Sequence, residues 1–304
     1  MQTNVSVTAD PAVETNMKKR NTLTIGDQLK SYARHPGAGV LGFLTLLGAV
    51  ITFALLFFLI GYVLVKGIPY LTASLFSFTY TSENVSLLPS LINTLIMTLV
   101  SLAIAAPVGI FAAIFLVEYA KKGSRFVKLI RITAETLSGI PSIVYGLFGM
   151  LFFVTALHWG MSLLSGALTM VIMVLPLIMR TAEEALKSVP DSYREASFGL
   201  GAGKLRTIFT IVLPSAVPGI LAGVILAIGR VVGETAALLY TSGTVAAVPN
   251  SLMGSGRTLA LHMYVLSSEG LHVNQASATA VVILAFVLVI NGLSGLVARK
   301  IAKG

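Results

Sequence analysis

The sequence contains no cysteine and few charged residues. Of its 304 residues, only 11% are Asp, Glu, Lys or Arg, against about 25% in a typical soluble domain. Without cysteine, neither a disulfide framework nor a thiolate metal site can form. Hydrophobic residues make up 56% of the chain. This balance excludes an ordinary soluble domain and predicts an all-α integral membrane protein.

Six apolar runs are long enough to cross the bilayer, because a hydrocarbon core of about 30 Å takes about 20 residues of helix. We therefore predict about six transmembrane helices. Residues 1–35 contain no such run and are predicted to form a cytoplasmic N-terminal tail, followed by a membrane domain over residues 36–304. The predicted spans are residues 40–65, 87–117, 136–157, 163–179, 215–240 and 276–298.

The basic residues are distributed unevenly between the loops. Of 21 Lys and Arg, 18 lie in the tail, between spans two and three, between spans four and five, or after span six. These segments share one side of the membrane if six helices alternate, whereas the opposite loops hold only Lys66 and Arg257. The positive-inside rule then places both termini in the cytoplasm. Topology accounts for the net charge of +9, so no nucleic-acid partner is expected.

The longest cytoplasmic segment, residues 180–214, reads RTAEEALKSVPDSYREASFGLGAGKLRTIFTIVLP. Ser188 and Asp191 have the spacing of a capping box and Pro190 suits a first turn, which predicts a helix running to about Phe198. A second amphipathic piece would then lead into the membrane. On these residues alone, the segment could equally serve only to close the bundle. The glycines that separate the two pieces are Gly199, Gly201 and Gly203.

One motif in this segment carries a family resemblance. Glu195-Ala196-Ser197, then Gly201, then Ile211-Val212-Leu213-Pro214 resembles the EAA loop, EAA-x3-G-x9-I-x-L-P, of ATP-binding-cassette (ABC) importer permeases. Ser197 is the one departure, because the family usually has alanine there. The resemblance implies the type I importer fold and a coupling helix that docks on a separate ATPase. The contact residues that it implies are Ser192, Tyr193, Glu195, Ala196 and Gly201.

The chain shows no nucleotide-binding or catalytic motif of its own. The nearest stretch to a phosphate loop is FGLGAGKL, but Phe198 replaces the required first glycine and Leu205 the required Ser or Thr. We therefore expect a transport subunit with no catalytic residue and no cofactor, and we expect ATP and magnesium on the partner ATPase. The acidic residues lie mostly in loops beside basic ones, which predicts solvated surface.

Histidine spacing does not favour a metal site. The sequence has four histidines, which lie in different regions and show no H-E-x-x-H spacing. We therefore predict that no metal is bound. The histidines are His35, His158, His262 and His272.

Two charges interrupt the fifth predicted span, in AIGRVVGETAALL. A charge at the centre of a spanning helix costs about 2.5–3.5 kcal/mol, so it normally faces the protein interior or an aqueous path. Arg230 would lie about 22 Å along this helix, with Glu234 one turn later on the same face, so that the two can pair when no ligand is bound. One interpretation is an ion pair that only fixes helix packing.

The other interpretation of this pair is an anion path. A guanidinium is a planar fork that matches phosphate geometry, and it provides the attraction that an anion needs to leave water. Glu234 would keep the site from holding the anion too tightly. In the same span, Gly219 with Gly223 and Gly229 with Gly233 would permit close helix approach. In the third span, ETLSGIPSIVYGLFG, glycine and proline are predicted to loosen the helix about midway.

These stretches sharpen the resemblance. ETLSGIPSIVYGLFG and GRVVGETAALLYTSG, with the EAA-like loop, are similar to the PstA family of phosphate ABC importer permeases, from about residue 40 to the end. Ala236 follows Thr235 where the paired PstC family normally has methionine. The resemblance implies transport roles for Arg230 and Glu234. Its implied partners are the second permease PstC, a dimer of the ATPase PstB, the external binding protein PstS, phosphate and the lipid bilayer.

The implied function is that of a multi-pass permease in the bacterial cytoplasmic (inner) membrane, forming half of an ATP-driven phosphate path. Phosphate would arrive at outer loops 66–86 and 241–275, and alternating access would move it inward. Two alternatives stay open. A permease for another oxyanion, such as molybdate or sulfate, would show competition by that anion. A proton-coupled carrier would work without an ATPase, and it leaves the EAA-like loop unexplained.

Overall fold

The computed structural model describes residues 36–121 and 123–303. These residues form helices and short connections, with no strand among them. The chain divides into two compact units, one ending at Tyr62 and the other beginning at Val63. The predicted tail, residues 1–35, lies outside the described residues and stays a prediction.

Eleven α-helices and two short 3-10 helices, Ile68–Tyr70 and Ala73–Phe76, are present in the described ranges. Wider π-type turns extend α2 over Phe115–Tyr119 and α4 over Met150–Ala156, and a third joins α7 to α8 over Ile208–Val212. The helices are α1 Pro36–Gly67, α2 Leu88–Ile114, α3 Arg125–Ser138, α4 Ser142–Gly149, α5 Leu163–Lys187, α6 Asp191–Gly199, α7 Lys204–Thr207, α8 Leu213–Val232, α9 Ala236–Thr241, α10 Leu259–Glu269 and α11 Val273–Lys303.

The prediction of about six spans is confirmed, with one change in the third. In the described ranges, five helices are long and apolar enough to cross a membrane, and α3 with the extended α4 gives a sixth if this pair, bent by 101°, counts as one span. The bend lies at Gly139–Pro141, where the glycine ends α3 and proline, which lacks an N–H, cannot continue it. The hydroxyl of Tyr145 donates to the Leu137 carbonyl at 2.7 Å and closes the bend. The predicted loosening is therefore a full break.

Several predicted boundaries are wrong on the side of the EAA-like loop. α5 continues to Lys187, and the helical run of the fifth span begins at Lys204 rather than at residue 215. The predicted capping box is also wrong: the Ser188 hydroxyl donates back to the Ala185 carbonyl at 2.8 Å, so it closes α5. α6 begins at Asp191, and no side chain caps its first turn. The boundaries are wrong because each helix continues as an amphipathic segment beyond its apolar run, and the apolar run marks only the part that is apolar enough to lie in lipid.

Helix α5 lies at the centre of the second unit. In its most apolar stretch 67% of residues are buried, against 28% for the Lys204–Val232 span. Its partner α8 approaches closely at two glycines. A side chain at Gly219 would come within 2.7 Å of the Ala185 Cβ, and one at Gly223 would overlap Thr181. The predicted close approach is thus confirmed for Gly219 and Gly223. In contrast, Gly229 has open space beside it.

Candidate functional site

The EAA-like loop forms an exposed helix, a glycine bend and a second helix, as predicted. All five residues expected at the ATPase contact are exposed, including Ser192 and Glu195. Tyr193, Ala196 and Gly201 also line one cavity of about 560 Å³ beside α6. The structure therefore brings three of the five predicted residues to one concave surface and leaves two on the open face of the helix.

The glycine bend depends on Gly201. Its φ of 81° lies in the left-handed region, which costs glycine little and other residues more. Its amide donates to the Phe198 carbonyl at 2.9 Å, and the Ala202 amide donates to the Ser197 carbonyl at 3.1 Å. The bend leaves Leu200 projecting, with 89% of its surface exposed.

Ser197, the one departure from the EAA pattern, has a structural role. Its side chain is buried and its Oγ lies 2.8 Å from Oγ1 of Thr207. Thr207 belongs to α7, so this hydrogen bond joins the two helices across the glycine bend. The Thr207 hydroxyl also donates to the Gly203 carbonyl at 3.2 Å. The sequence offered no signal for this pairing, because the two residues lie on different helices.

Arg194 anchors α6, although in the sequence it contributed only to the prediction of membrane topology. Arg194 donates to the Glu118 carboxylate, at the end of α2, and to the carbonyls of Leu186 and Val189 at 3.0 and 2.9 Å. It also reaches Asp191 at 3.2 Å. One side chain therefore ties α6 to two other segments of the bundle. The link between Arg194 and Glu118 spans 76 positions of sequence, so no local pattern could reveal it.

The prediction that acidic residues form solvated surface is wrong for Glu118 and Glu183. The Glu118 side chain is 8% exposed and that of Glu183 is 6% exposed. Glu183 lies on α5, where its carboxylate pairs with Arg131 and Lys187 at 2.6 Å each. Basic residues next to acidic ones in the sequence are therefore compatible with buried ion pairs as well as with solvated charges.

The two charges of the fifth span lie on either side of a helix break. α8 ends at Val232, and Arg230 is in its last turn, where a cation interacts favourably with the helix dipole. Glu234 is buried, and its Oε1 accepts from the Ala237 amide at 3.1 Å, which satisfies a free donor at the start of α9. Each charge is matched to a helix end.

The predicted ion pair between Arg230 and Glu234 is not formed. It required a continuous helix, and Gly233 ends the helix between them. The part of the chain that the structure describes places no carboxylate oxygen within 4.0 Å of the Arg230 nitrogens. Arg230 itself is partly buried.

The bent third span and the broken fifth span meet at this point. A side chain at Gly146 would come within 2.7 Å of the Ala237 Cα, so α4 and α9 touch backbone to backbone. The contact brings the short helix after the α3–α4 bend against the short helix after the α8 break. A cation beside the α8 break, with no carboxylate within ion-pair distance among the described residues, can attract an oxyanion.

Metal binding finds no support among residues 36–121 and 123–303. They hold no group of three or more His, Asp or Glu side chains placed to bind an ion. His35 lies outside these ranges, and His262 is fully buried in α10.

Five apolar spans, a bent helix pair and an exposed helix–glycine–helix loop define a multi-pass membrane transport permease. The chain belongs to the family of binding-protein-dependent transport system inner membrane components, which residues 105–303 match.

Individual relatives agree with this family. The probable ABC transporter permease protein YqgI of Bacillus subtilis is 32% identical over 278 residues, covering 83% of this chain and 93% of that one. The phosphate transport system permease protein PstA 1 of Mycobacterium tuberculosis is 42% identical over 154 residues, 51% of this chain, and the match spans only 50% of that relative.

Solved structures show the same fold. A bacterial ABC transporter involved in the import of the acidic polysaccharide alginate superposes with a TM-score of 0.62 at 17% identity, covering 90% of this chain and 98% of that one. The predicted type I importer permease fold is confirmed.

Proposed function

We infer that this chain is the permease subunit of an ATP-driven importer of inorganic phosphate and forms half of its translocation path. The proposal rests on Arg230, a partly buried guanidinium that faces no carboxylate within ion-pair distance among the described residues. Such a group can replace part of the water shell of a phosphate ion. The similarity to a relative named as a phosphate transport permease supports the choice of anion.

Coupling to a separate ATPase would occur through α6 and the glycine bend. Tyr193, Leu200 and Leu205 expose 50%, 89% and 65% of their surface there, beside the cavity of about 560 Å³. Apolar side chains in this number on an exposed loop favour a protein partner. The partner would be a dimer of the ATPase PstB carrying ATP and magnesium, with PstC as second permease and PstS as external binding protein.

The breaks suggest how the path opens. α6 is tied to α2 and α5 by Arg194, so a movement of the ATPase would reach those helices directly. The contact of α4 with α9, whose backbones meet at Gly146, would then shift. Phosphate would pass Arg230 while Glu234 stays at the start of α9. The protein would lie in the bacterial inner membrane with both termini in the cytoplasm.

The test is labelled-phosphate uptake by cells that lack their own high-affinity system and express this chain with its partners. We expect Arg230→Gln to lower uptake at least about tenfold, because a charge-assisted contact is lost. Arg125→Gln, which removes an exposed charge at the start of α3, is the matched control and should keep wild-type uptake. Normal uptake by Arg230→Gln at equal membrane levels would refute the proposed role of Arg230.

The anion itself is tested by competition. Excess unlabelled phosphate should abolish uptake, whereas sulfate and molybdate should leave it unchanged. Inhibition by sulfate or molybdate in place of phosphate would show that the importer serves another oxyanion.

A further inference from the structure

A second arginine, Arg257, lies at the opposite end of the bundle from α6. It is in the connection between α9 and α10, which meets the start of α5: the Leu163 and Leu164 amides donate to the Gly254 and Leu252 carbonyls at 3.0 and 2.8 Å. α6 follows the other end of α5, 25 residues away. Arg257 therefore belongs to the predicted outer side.

The guanidinium of Arg257 is buried without a counter-charge. The residue is 4% exposed, and its Nε and Nη2 atoms are covered yet have no hydrogen-bond partner. The described residues provide no carboxylate oxygen within 4.0 Å of it. Within residues 36–121 and 123–303, its one favourable partner is the ring of Tyr80, whose centroid lies 4.8 Å from the guanidinium carbon. Buried charges are normally paired, so this cation lacks an anion.

The backbone of Arg257 is held firmly in place. Its amide donates to the Val245 carbonyl at 2.9 Å, and its carbonyl accepts from Asn93 Nδ2 at 3.2 Å. Asn93 lies on α2 and is itself fully buried. At Gly256, a side chain would come within 2.7 Å of the Asn93 amide nitrogen, so the loop packs closely on α2. The position of this charge is thus fixed by the bundle.

Arg257 lines a cavity of about 570 Å³, which we call the outer cavity. Its other polar walls come from Thr79, Tyr80 and Thr244. This volume lies within the range of about 300–1,000 Å³ that is usual for small-ligand sites. One cation and several hydroxyl groups suit a tetrahedral oxyanion that keeps part of its water shell.

We propose that the outer cavity is a receiving site, where a tetrahedral oxyanion pairs with Arg257 before it reaches Arg230. α9 connects the two places: Glu234 caps its start, and Thr244 of the outer cavity lies just beyond its end. The helix has six residues, or about 9 Å of rise. For the identity of the anion as phosphate, this inference rests on the proposed function.

The first test is direct observation of the anion. The complete importer, in lipid nanodiscs, is imaged by cryo-electron microscopy in phosphate buffer and in chloride buffer. We expect density beside the Arg257 guanidinium in phosphate, and none in a complex carrying Arg257→Gln. An empty outer cavity at saturating phosphate overturns the proposal.

The second test is labelled-phosphate uptake at matched membrane levels. We expect Arg257→Gln to lower uptake at least about tenfold and Arg257→Lys, which keeps the charge but loses the fork, to lower it less. Lys66→Gln is the matched control, because it removes an exposed charge from the same predicted side, and it should transport normally. Co-purification with the partner subunits checks that each variant assembles.

The two tests together decide the matter. Density beside Arg257 with normal uptake in Arg257→Gln would mean an adventitious ion only. Lost uptake with no density would mean a structural role for Arg257, and either result overturns the proposal. If sulfate or molybdate fills the cavity and is imported in place of phosphate, the proposed function fails while the receiving site stands.

Discussion

The guanidinium of Arg194 donates two hydrogen bonds to a single oxygen of Glu118, from Nε at 3.1 Å and from Nη2 at 2.8 Å. The two side chains are 14% and 8% exposed. Breaking such a buried pair leaves an uncompensated charge, which costs far more than breaking an exposed pair. This contact fixes α6, the helix through which the ATPase would act.

Arg194→Gln should therefore loosen α6. We expect the free energy of unfolding to fall by roughly 3 kcal/mol, because Glu118 loses its partner in a buried place. The measurement is the apparent unfolding temperature of the purified complex, together with the amount of ATPase that co-purifies. The matched control is Asp191→Asn, since that carboxylate contacts the same arginine but is 76% exposed. Equal effects of the two substitutions would contradict a special role for Glu118.

Glu195→Lys should weaken docking of the ATPase. Glu195 is exposed on the open face of α6, so the substitution reverses the charge at this position without disturbing the core. We expect less ATPase in the purified complex and slower phosphate uptake. Glu269→Lys makes the same charge change on an exposed residue at the end of α10 and should leave both unchanged. Normal co-purification together with normal uptake in Glu195→Lys would refute this role.

Ser197→Ala should be milder than Thr207→Val, although both remove the same hydrogen bond. After Ser197→Ala, the Thr207 hydroxyl still donates to the Gly203 carbonyl, so the loss should be about 0.5–1.5 kcal/mol. Thr207→Val leaves the buried Ser197 hydroxyl without this partner, at a cost of roughly 1–3 kcal/mol. The unfolding temperatures of both single variants and the double variant measure this. Strictly additive effects would mean that the hydroxyls do not interact.

His262 should make the protein less stable in acid. Burial, and next the positive charge of Arg257, lower the pKa of its imidazole from 6.5 to about 3. Between these values the unfolded chain binds a proton that the folded chain does not. The free energy of unfolding therefore falls as the pH falls from 6.5 toward 3, by up to about 1.4 kcal/mol per pH unit.

The measurement for His262 is the apparent unfolding temperature of the complex between pH 7 and pH 5. His262→Gln should flatten this dependence, because the variant cannot take up the proton. His158→Gln changes an exposed imidazole and should keep the wild-type dependence. If the His262→Gln curve runs parallel to the wild-type curve, the ring does not contribute to acid sensitivity.

Much of the fold followed from the order of residue types along the chain. Hydrophobic runs of sufficient length located the five spans and the bent helix pair, because a helix satisfies all its backbone hydrogen bonds within one segment in lipid. Gly201 and the EAA-like spacing located the helix–glycine–helix loop, since a left-handed turn between two amphipathic pieces restricts the residue at that position. The ends of spans were less well placed, as the extension of α5 to Lys187 illustrates.

The geometry of the candidate site differs from the one that the sequence predicted. Arg230 and Glu234 were expected on one helix face, whereas Gly233 ends α8 between them and each charge serves a different helix end. Glycine is common inside membrane helices, so its presence could not distinguish a close contact from a break.

The sequence by itself determined the membrane class, the spans and the residues that carry charge into them, because these depend on composition and local periodicity. Only the tertiary structure decided which charges meet. Arg194 finds Glu118 across 76 positions, and Arg257 is buried against Tyr80 with no carboxylate within 4.0 Å in the described ranges. Such pairings depend on how helices pack. Packing is set by side-chain shape and burial between distant segments, and no local pattern encodes it.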